Sequence, residues 1–305
     1  MTLTAYPGLL AGFGAPYLNV SPVLTTGKVF FVDSSTGKSG NTGDDSLRPM
    51  ATLAQALAKT RASKGDYVIC MPGHAETTSA IAMSKAGVRV IGMGIGRNRP
   101  TFTSDATAAD VINVTAANCM LENIRVVGAA SNCTALVDLS SAATDFIANR
   151  CQFDQAATPL AGLTISGDRF QLIDCTWMGT ANGPDRCVDL EAHLTDWQII
   201  RPRALFGAFG LDNDFIRSAA DAQVGYVIED ALLVGLDTLL VNFASSTATP
   251  PDGFFASGRV MTSAPIVSIE TIVAAGTSLG MAFGTIYATD IVQTRGGQIP
   301  LTSAS

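Results

Sequence analysis

The residues of this chain best suited to chemistry are carboxylates in its middle third: Asp154, Asp168, Asp174, Asp185, Asp189 and Glu191, with Arg186 among them. Two carboxyl groups held on either side of a sugar linkage divide into general acid and base or nucleophile, the chemistry of glycoside hydrolysis. Several of them around a calcium ion, beside Arg186, would instead suit a polysaccharide lyase. Turn chemistry competes with both readings. Asp185 ends the run Asn182-Gly183-Pro184-Asp185, and Asp174 occupies a recurring bend, positions where backbone geometry alone selects Asp. The expectation is therefore no catalytic residue, with a glycosidase or lyase as the alternative.

The other reactive types are sparse. His74 and Glu76 follow a strand end and invite an acid and base assignment, but a turn with His74 bonded to local backbone explains them as well. His193 stands beside Glu191 and Asp196 as a surface residue, and two histidines so far apart form no metal motif. The loop from Asp33 to Asp44 resembles a calcium loop only superficially. Lys38 falls where glycine is required, and the closing Glu is missing. Gly92-Met93-Gly94-Ile95-Gly96 lacks the following helix that a phosphate site needs, and Arg97-Asn98-Arg99-Pro100 reads as an exposed corner. No cofactor is expected. Trp177, Trp197, Phe206, Phe209 and Phe215 could form a sugar-stacking platform, although inward packing is the commoner fate of such side chains. The 6 cysteines include no C-x-x-C pair and read as buried free thiols, which fits assembly in a reducing cytoplasm.

What positions these residues is a recurring pattern: apolar, any residue, Asn or Asp, small or apolar, any residue, apolar. It is clearest at Leu121-Glu122-Asn123-Ile124-Arg125-Val126, Leu172-Ile173-Asp174-Cys175-Thr176-Trp177 and Ile228-Glu229-Asp230-Ala231-Leu232-Leu233. Weaker copies begin at Ala148 and Ile199, with an earlier relative at Val90-Ile91-Gly92-Met93. The copies recur at roughly 24 to 31 residues, the period of a solenoid. Each copy leaves its apolar face half covered, so stacking neighbours completes the burial, while Asn or Asp serves the bend.

Bulk composition agrees. Hydrophobic residues make up 47% of the 305 and charged residues 15%, enough for a filled core. The net charge of -7 argues against nucleic acid or an anionic membrane as partner. The N-terminal stretch has no basic n-region, and the apolar run from Ala231 to Ala244 is interrupted by Asp237 and Asn242, so neither a signal peptide nor a membrane span is expected.

Three regions follow. Residues 1–27 form an extended arm with Pro7, Pro16 and Pro22 among unsheltered anchors Tyr6, Leu9, Leu10, Phe13 and Tyr17; it either lies along its own domain or docks on another subunit, and the second option makes these anchors the candidate interface. Residues 28–244 form the solenoid, with a capping helix near 50–62 begun at Pro49, striped by Leu53, Ala54, Leu57 and Ala58 and ended by Gly65. Beyond these, residues 245–305 read as a C-terminal cap or an oligomerisation region, opened by the turn Pro250-Pro251-Asp252-Gly253.

The run Phe30-Phe31-Val32-Asp33 through Gly43, then Pro49-Met50-Ala51-Thr52-Leu53, Lys64-Gly65-Asp66-Tyr67-Val68-Ile69 and Pro72-Gly73-His74-Ala75-Glu76, resembles the opening of right-handed parallel β-helices of the pectate-lyase-like type. More narrowly it is similar to tailed-bacteriophage virion proteins with this β-helical body. The resemblance covers roughly residues 28 to 240 and implies an all-β fold with a short N-terminal capping helix. It also implies a homotrimeric capsid decoration or cement protein, assembled in the host cytoplasm and bound to the major capsid protein by its arm or one end of the solenoid. The alternatives it leaves are a tail spike or depolymerase acting on host polysaccharide, and an adhesin that binds a host glycan without cleaving it.

Overall fold

Short runs of β-branched and aromatic residues, each ended by a turn residue, give strands that bury one side only when another coil stacks on them. The computed structural model describes residues 25–78, 80–104, 109–129, 133–155, 161–179, 186–206, 215–218, 223–236, 241–243, 252–262, 281–290 and 299–301. The candidate interface residues Tyr6, Leu9, Leu10, Phe13 and Tyr17 lie outside them.

The strands stack coil upon coil in parallel, in an 18-stranded and a 7-stranded sheet, and the larger sheet bends to make two faces. The first face stacks Val29–Val32, Tyr67–Cys70, Arg89–Gly92, Met120–Glu122, Ile147–Asn149, Gln171–Ile173, Gln198–Ile200 and Val224–Glu229. The second runs from Ala75–Thr78 through Thr101–Ser104, Arg125–Gly128, Gln152–Gln155 and Thr176–Gly179 to Arg203–Leu205 and Ala231–Leu236. The third face consists of Ile81–Met83, Ile112–Val114, Ala135–Leu139, Ala161–Ile165, Arg186–Leu190, Ile216–Ser218 and Val241–Phe243. This is the expected right-handed parallel β-helix.

The corner between the first and second faces is the recurring bend. Its residues are left-handed: Asn123, Arg150, Asp174, Arg201 and Asp230 have φ of 52°, 55°, 53°, 50° and 55°. Asn and Asp tolerate this region, whereas Arg takes it only because the stack imposes it. Asn123 uses its side chain as well, donating from Nδ2 to the carbonyls of Gly92 at 2.8 Å and Gly94 at 2.9 Å. Gly92 is obligatory there, since a Cβ would lie 2.3 Å from the Asn123 carbonyl oxygen. A second left-handed column turns the third face into the first, through Asn118, Asp145, Arg169 and Asp196 at φ 55–58°.

Inward side chains form one continuous core. Trp197 stacks between Phe170, at 5.3 Å and 9°, and Tyr226, at 4.7 Å and 12°. Trp177 packs on Phe153 and on the edge of Phe215. All 6 cysteines are free and buried. Cys119, Cys151 and Cys175 lie within sulfur hydrogen-bond reach of the carbonyls of Lys85, Leu121 and Ala148 in the preceding coil, each at 3.5 Å. Burial pushes the Cys133 thiol up to about 11 and raises those of Cys70 and Cys187 as well, so these groups pack rather than react.

Helix α1 spans Leu53–Lys59 and caps the first coils with Leu53, Ala56 and Leu57. It is shorter at both ends than its apolar stripe suggests. Met50 is claimed by a bridge to Val32, so Thr52 becomes the N-cap and accepts the Gln55 N–H at 3.3 Å. At the other end Thr60 Oγ1 donates to the Leu57 carbonyl at 2.7 Å, and Lys85 Nζ donates to the carbonyls of Ala58 and Thr60 at 2.8 and 2.7 Å. With those carbonyls satisfied the helix stops before Gly65. The next turn is locked by Asp66, whose side chain is fully buried and accepts the backbone N–H groups of Lys28 at 2.7 Å and Arg61 at 2.8 Å. Burial alone would raise the Asp66 pKa, but these bonds and the Arg61 guanidinium hold it below the ordinary value.

Past residue 244, Asp252–Thr262 pairs in parallel with both Val224–Glu229 and Ala231–Leu236. Met281–Asp290 stacks on it in parallel, and Ile299–Leu301 joins antiparallel. No helix among the described residues is long and apolar enough to cross a membrane.

Candidate functional site

The third face carries the densest polar chemistry. Val137, Leu163, Val188 and Ile216 lie in register and point inward, so the intervening residues form an outward row: Asn113, Asp138, Thr164, Asp189 and Arg217. Adjacent members are about 4.8 Å apart, the spacing of paired strands. Thr164 Oγ1 donates to Asp138 Oδ1 at 2.5 Å. The Asn113 amide reaches Asp110 Oδ2 at 3.2 Å and Asp138 Oδ2 at 3.1 Å. Arg186 pairs with Asp189 from the same strand, and Arg217 Nε approaches Asp189 Oδ1 at 3.3 Å from the next coil.

Charge is unevenly balanced along the row. Asp189 is 6% exposed and has two guanidinium partners. Glu191 has its pKa raised, first by burial and then by Asp189, Asp138 and Asp110, with Arg186 opposing. Asp110 is raised by burial and by Asp138. The row therefore joins carboxyl groups that resist ionisation to one that is paired with cations. Such a concentration of carboxyl, hydroxyl and amide groups can hydrogen-bond sugar hydroxyls, whereas acid and base roles on a sugar linkage would require two carboxyl groups at a fixed separation.

Of the carboxylates singled out in the sequence, the structure brings together Asp189 and Glu191, with Arg186, and separates the rest. Asp154 belongs to the second face, where it accepts from Arg125 Nε at 2.6 Å and Gln152 Nε2 at 2.8 Å. Asp168 accepts the Thr195 N–H at 2.9 Å in the corner before the first face. Asp174 is in the other corner, paired with Arg201. Asp185 lies outside the described residues. Asn113, Asp138, Thr164 and Arg217 complete the row and Asp110 flanks it, none of them having stood out in the sequence. Their signal was there: Asn113, Asp138, Thr164, Asp189 and Arg217 recur at roughly 25 to 28 residues, the solenoid period.

The remaining candidates have structural placements. His74 is fully buried against Phe102, with ring centroids 5.4 Å apart, and its Nε2 is 3.3 Å from Glu76 Oε2 rather than on local backbone. Glu76 Oε2 also accepts the first helical N–H, that of Leu53, at 2.9 Å. His193 is exposed. Asp33 accepts from Ser35 and Thr36 within its own turn. A 3-10 turn, Gly96–Asn98, follows the Gly92 to Gly96 run. Trp177, Trp197, Phe206 and Phe215 are 0–1% exposed and present no platform to a sugar, while Phe209 lies outside the described residues. Among the described residues no group of His, Cys, Asp and Glu converges as a metal site.

No known protein family matches the chain, and no curated protein matches it in sequence. Solved structures match in shape. A rhamnogalacturonan lyase superposes with a TM-score of 0.61 at 14% identity, over 86% of this chain and 74% of that one. A pectate lyase superposes at 0.52 with 12% identity, over 90% and 79% of the respective chains. A Geobacillus virus protein superposes less closely, at 0.37 and 12% identity, over 88% and 63%. At such identities the likeness to the two lyases establishes the parallel β-helix and nothing about activity.

Proposed function

We propose that the chain is a structural protein of a tailed-bacteriophage virion, a β-helical decoration that cements the capsid surface as a homotrimer. The observation that carries this reading is the placement of its two most exposed large apolar groups among the described residues. Leu47 and Ile95, 87% and 80% exposed, project from loops of the first coils, so the capped end of the rod offers anchors to a protein surface. The stack itself supplies stiffness: ion pairs between neighbouring coils and left-handed corners tie each coil to the next. Several such contacts across adjacent capsid subunits would add through multivalency and resist internal pressure. The test compares particles with and without the protein. Loss should lower the temperature at which capsids rupture, and added protein should restore it; equal rupture temperatures would remove the cementing role.

The polar row on the third face favours a second reading, a spike or adhesin that engages host polysaccharide there. Incubation with host capsule separates the outcomes. Release of reducing or unsaturated sugar ends means cleavage, and binding without release means an adhesin.

A further inference from the structure

The outward side of the first face changes character along the stack. Phe31, Ile69 and Ile91 are in register, and the same row continues as Glu122, Asn149, Ile173, Ile200 and Glu229. Ile173 and Ile200 are only half-buried, so the buried apolar part is confined to the first coils. With Val29, Tyr67 and the flanking Met71 and Met93 it forms a cluster separate from the core. These side chains point away from the interior, yet Phe31, Ile69 and Ile91 are 3%, 1% and 3% exposed. A row of outward side chains on a sheet stays open above unless another segment lies over it.

The neighbouring loop is not that segment. It runs along the open edge of Val29–Val32, where the Phe31 N–H donates to Gly43 at 2.7 Å and the Met50 N–H to Phe31 at 2.8 Å. Its large apolar side chain, Leu47, is turned to solvent. The described chain begins at Thr25, which bonds to the Gly65 carbonyl just before the strand Tyr67–Cys70, at the margin of this surface. A groove of about 480 Å³ lined by Thr25, Gly65, Tyr67 and Arg89 opens beside it.

We propose that residues 1–24 of the same chain lie across the Phe31, Ile69 and Ile91 row as a strap, seating Tyr6, Leu9, Leu10, Phe13 and Tyr17 on it. The argument rests on where the arm leaves the fold, on the restriction of the buried outward apolar groups to that end, and on the match of aromatic and aliphatic groups. Reach is ample: a few residues at about 3.3 Å each cross the row, whose first three strands span about 10 Å. Pro7 and Pro16 keep the strap from coiling into a helix. The inference does not depend on the virion reading.

The test uses the full chain with p-benzoylphenylalanine in place of Leu9 or Phe13, irradiated as a mixture of isotopically light and heavy protein. Crosslinks within one chain to the peptides holding Ile69, Met71, Ile91 or Met93 are expected. Crosslinks between light and heavy chains, to other faces, or none at all, would overturn the strap. A second measurement follows chymotryptic cutting at Phe13 and Tyr17. Ile91→Ser, outside the main core, should speed it by roughly tenfold while the body stays folded; cutting unchanged from the parent would also overturn it.

Discussion

Arg201 stands one coil beyond Asp174 in the same left-handed corner and grips it with two parallel bonds, Nε to Oδ1 at 2.6 Å and Nη2 to Oδ2 at 2.8 Å. The other corner repeats the device with Arg169 on Asp145, at 2.7 and 2.8 Å. The bend thus serves two ends. Its backbone reverses the chain, and its side chain ties successive coils.

The corner makes opposite demands on Arg201. Glycine there would relieve the left-handed strain but lose an exposed ion pair, and each effect is about 1 kcal/mol or less. Arg201→Gly should therefore leave stability within about 1 kcal/mol of the parent. Arg201→Val loses the pair and adds a β-branched side chain at positive φ, so a loss of about 1–3 kcal/mol is expected. Urea midpoints of the two variants check the order, and an equal loss would mean that strain plays no part.

Glu76 links the second face to α1 through the Leu53 N–H, one of the donors that a helix start leaves unsatisfied. Glu76→Ala orphans that donor and removes the acceptor facing buried His74, at a cost of about 1–2 kcal/mol. Hydrogen exchange should quicken first in Leu53–Lys59. Exchange quickening uniformly along the solenoid would show instead that the cap and the coils open together.

The sequence made the stack legible where one residue type served both burial and bend. Asn123, Asp174 and Asp230 mark the corner because Asn and Asp accept left-handed backbone, and Leu121, Leu172 and Ile228 beside them point inward. Arg150 and Arg201 left only weaker copies of the pattern at their corners, since Arg has no such preference and sits there because the register of its neighbours leaves no alternative. The second corner column mixes Asn, Asp and Arg and was missed for the same reason. The polar row on the third face escaped notice because Asp138, Thr164 and Asp189 share only a spacing, and their identities as acid and hydroxyl do not repeat. His74 is structural, as its turn position suggested, but its partners are the tilted ring of Phe102 and the Glu76 carboxylate rather than local backbone, because its ring is turned into the core.

The carboxyl groups pull stability in opposite directions with pH. Asp66 and Asp174 have pKa values below the ordinary 3.8, so their contribution is complete above that value and is lost as pH falls through their folded values. Glu191 and Asp110 are raised above 4.5 and 3.8, so the folded state resists their ionisation. Their destabilising effect is full above the raised values and fades as pH falls toward the ordinary ones. Stability should peak in the mildly acidic range. The double variant Asp110→Asn, Glu191→Gln should raise the melting temperature more at about pH 7 than at about pH 3.5, below both ordinary values. A pH-independent change in calorimetric scans would refute the linkage.

Trp197 tests how far a coil depends on its neighbours. It is fully buried between Phe170 of the preceding coil and Tyr226 of the following one, and its Nε1 donates to Gln223 Oε1 at 3.2 Å. Trp197→Phe keeps an aromatic layer and loses that bond, whose acceptor still takes the Leu194 N–H at 3.3 Å, so the cost should be about 1 kcal/mol plus a small packing deficit. Trp197→Ala removes the layer and should cost about 3–5 kcal/mol. In a solenoid the stability of a coil is largely its interfaces with the coils on either side. Hydrogen exchange in the alanine variant should therefore quicken in Gln171–Ile173 and Val224–Glu229 while Val29–Val32 stays protected. Uniform loss of protection would instead mark the whole stack as one cooperative unit.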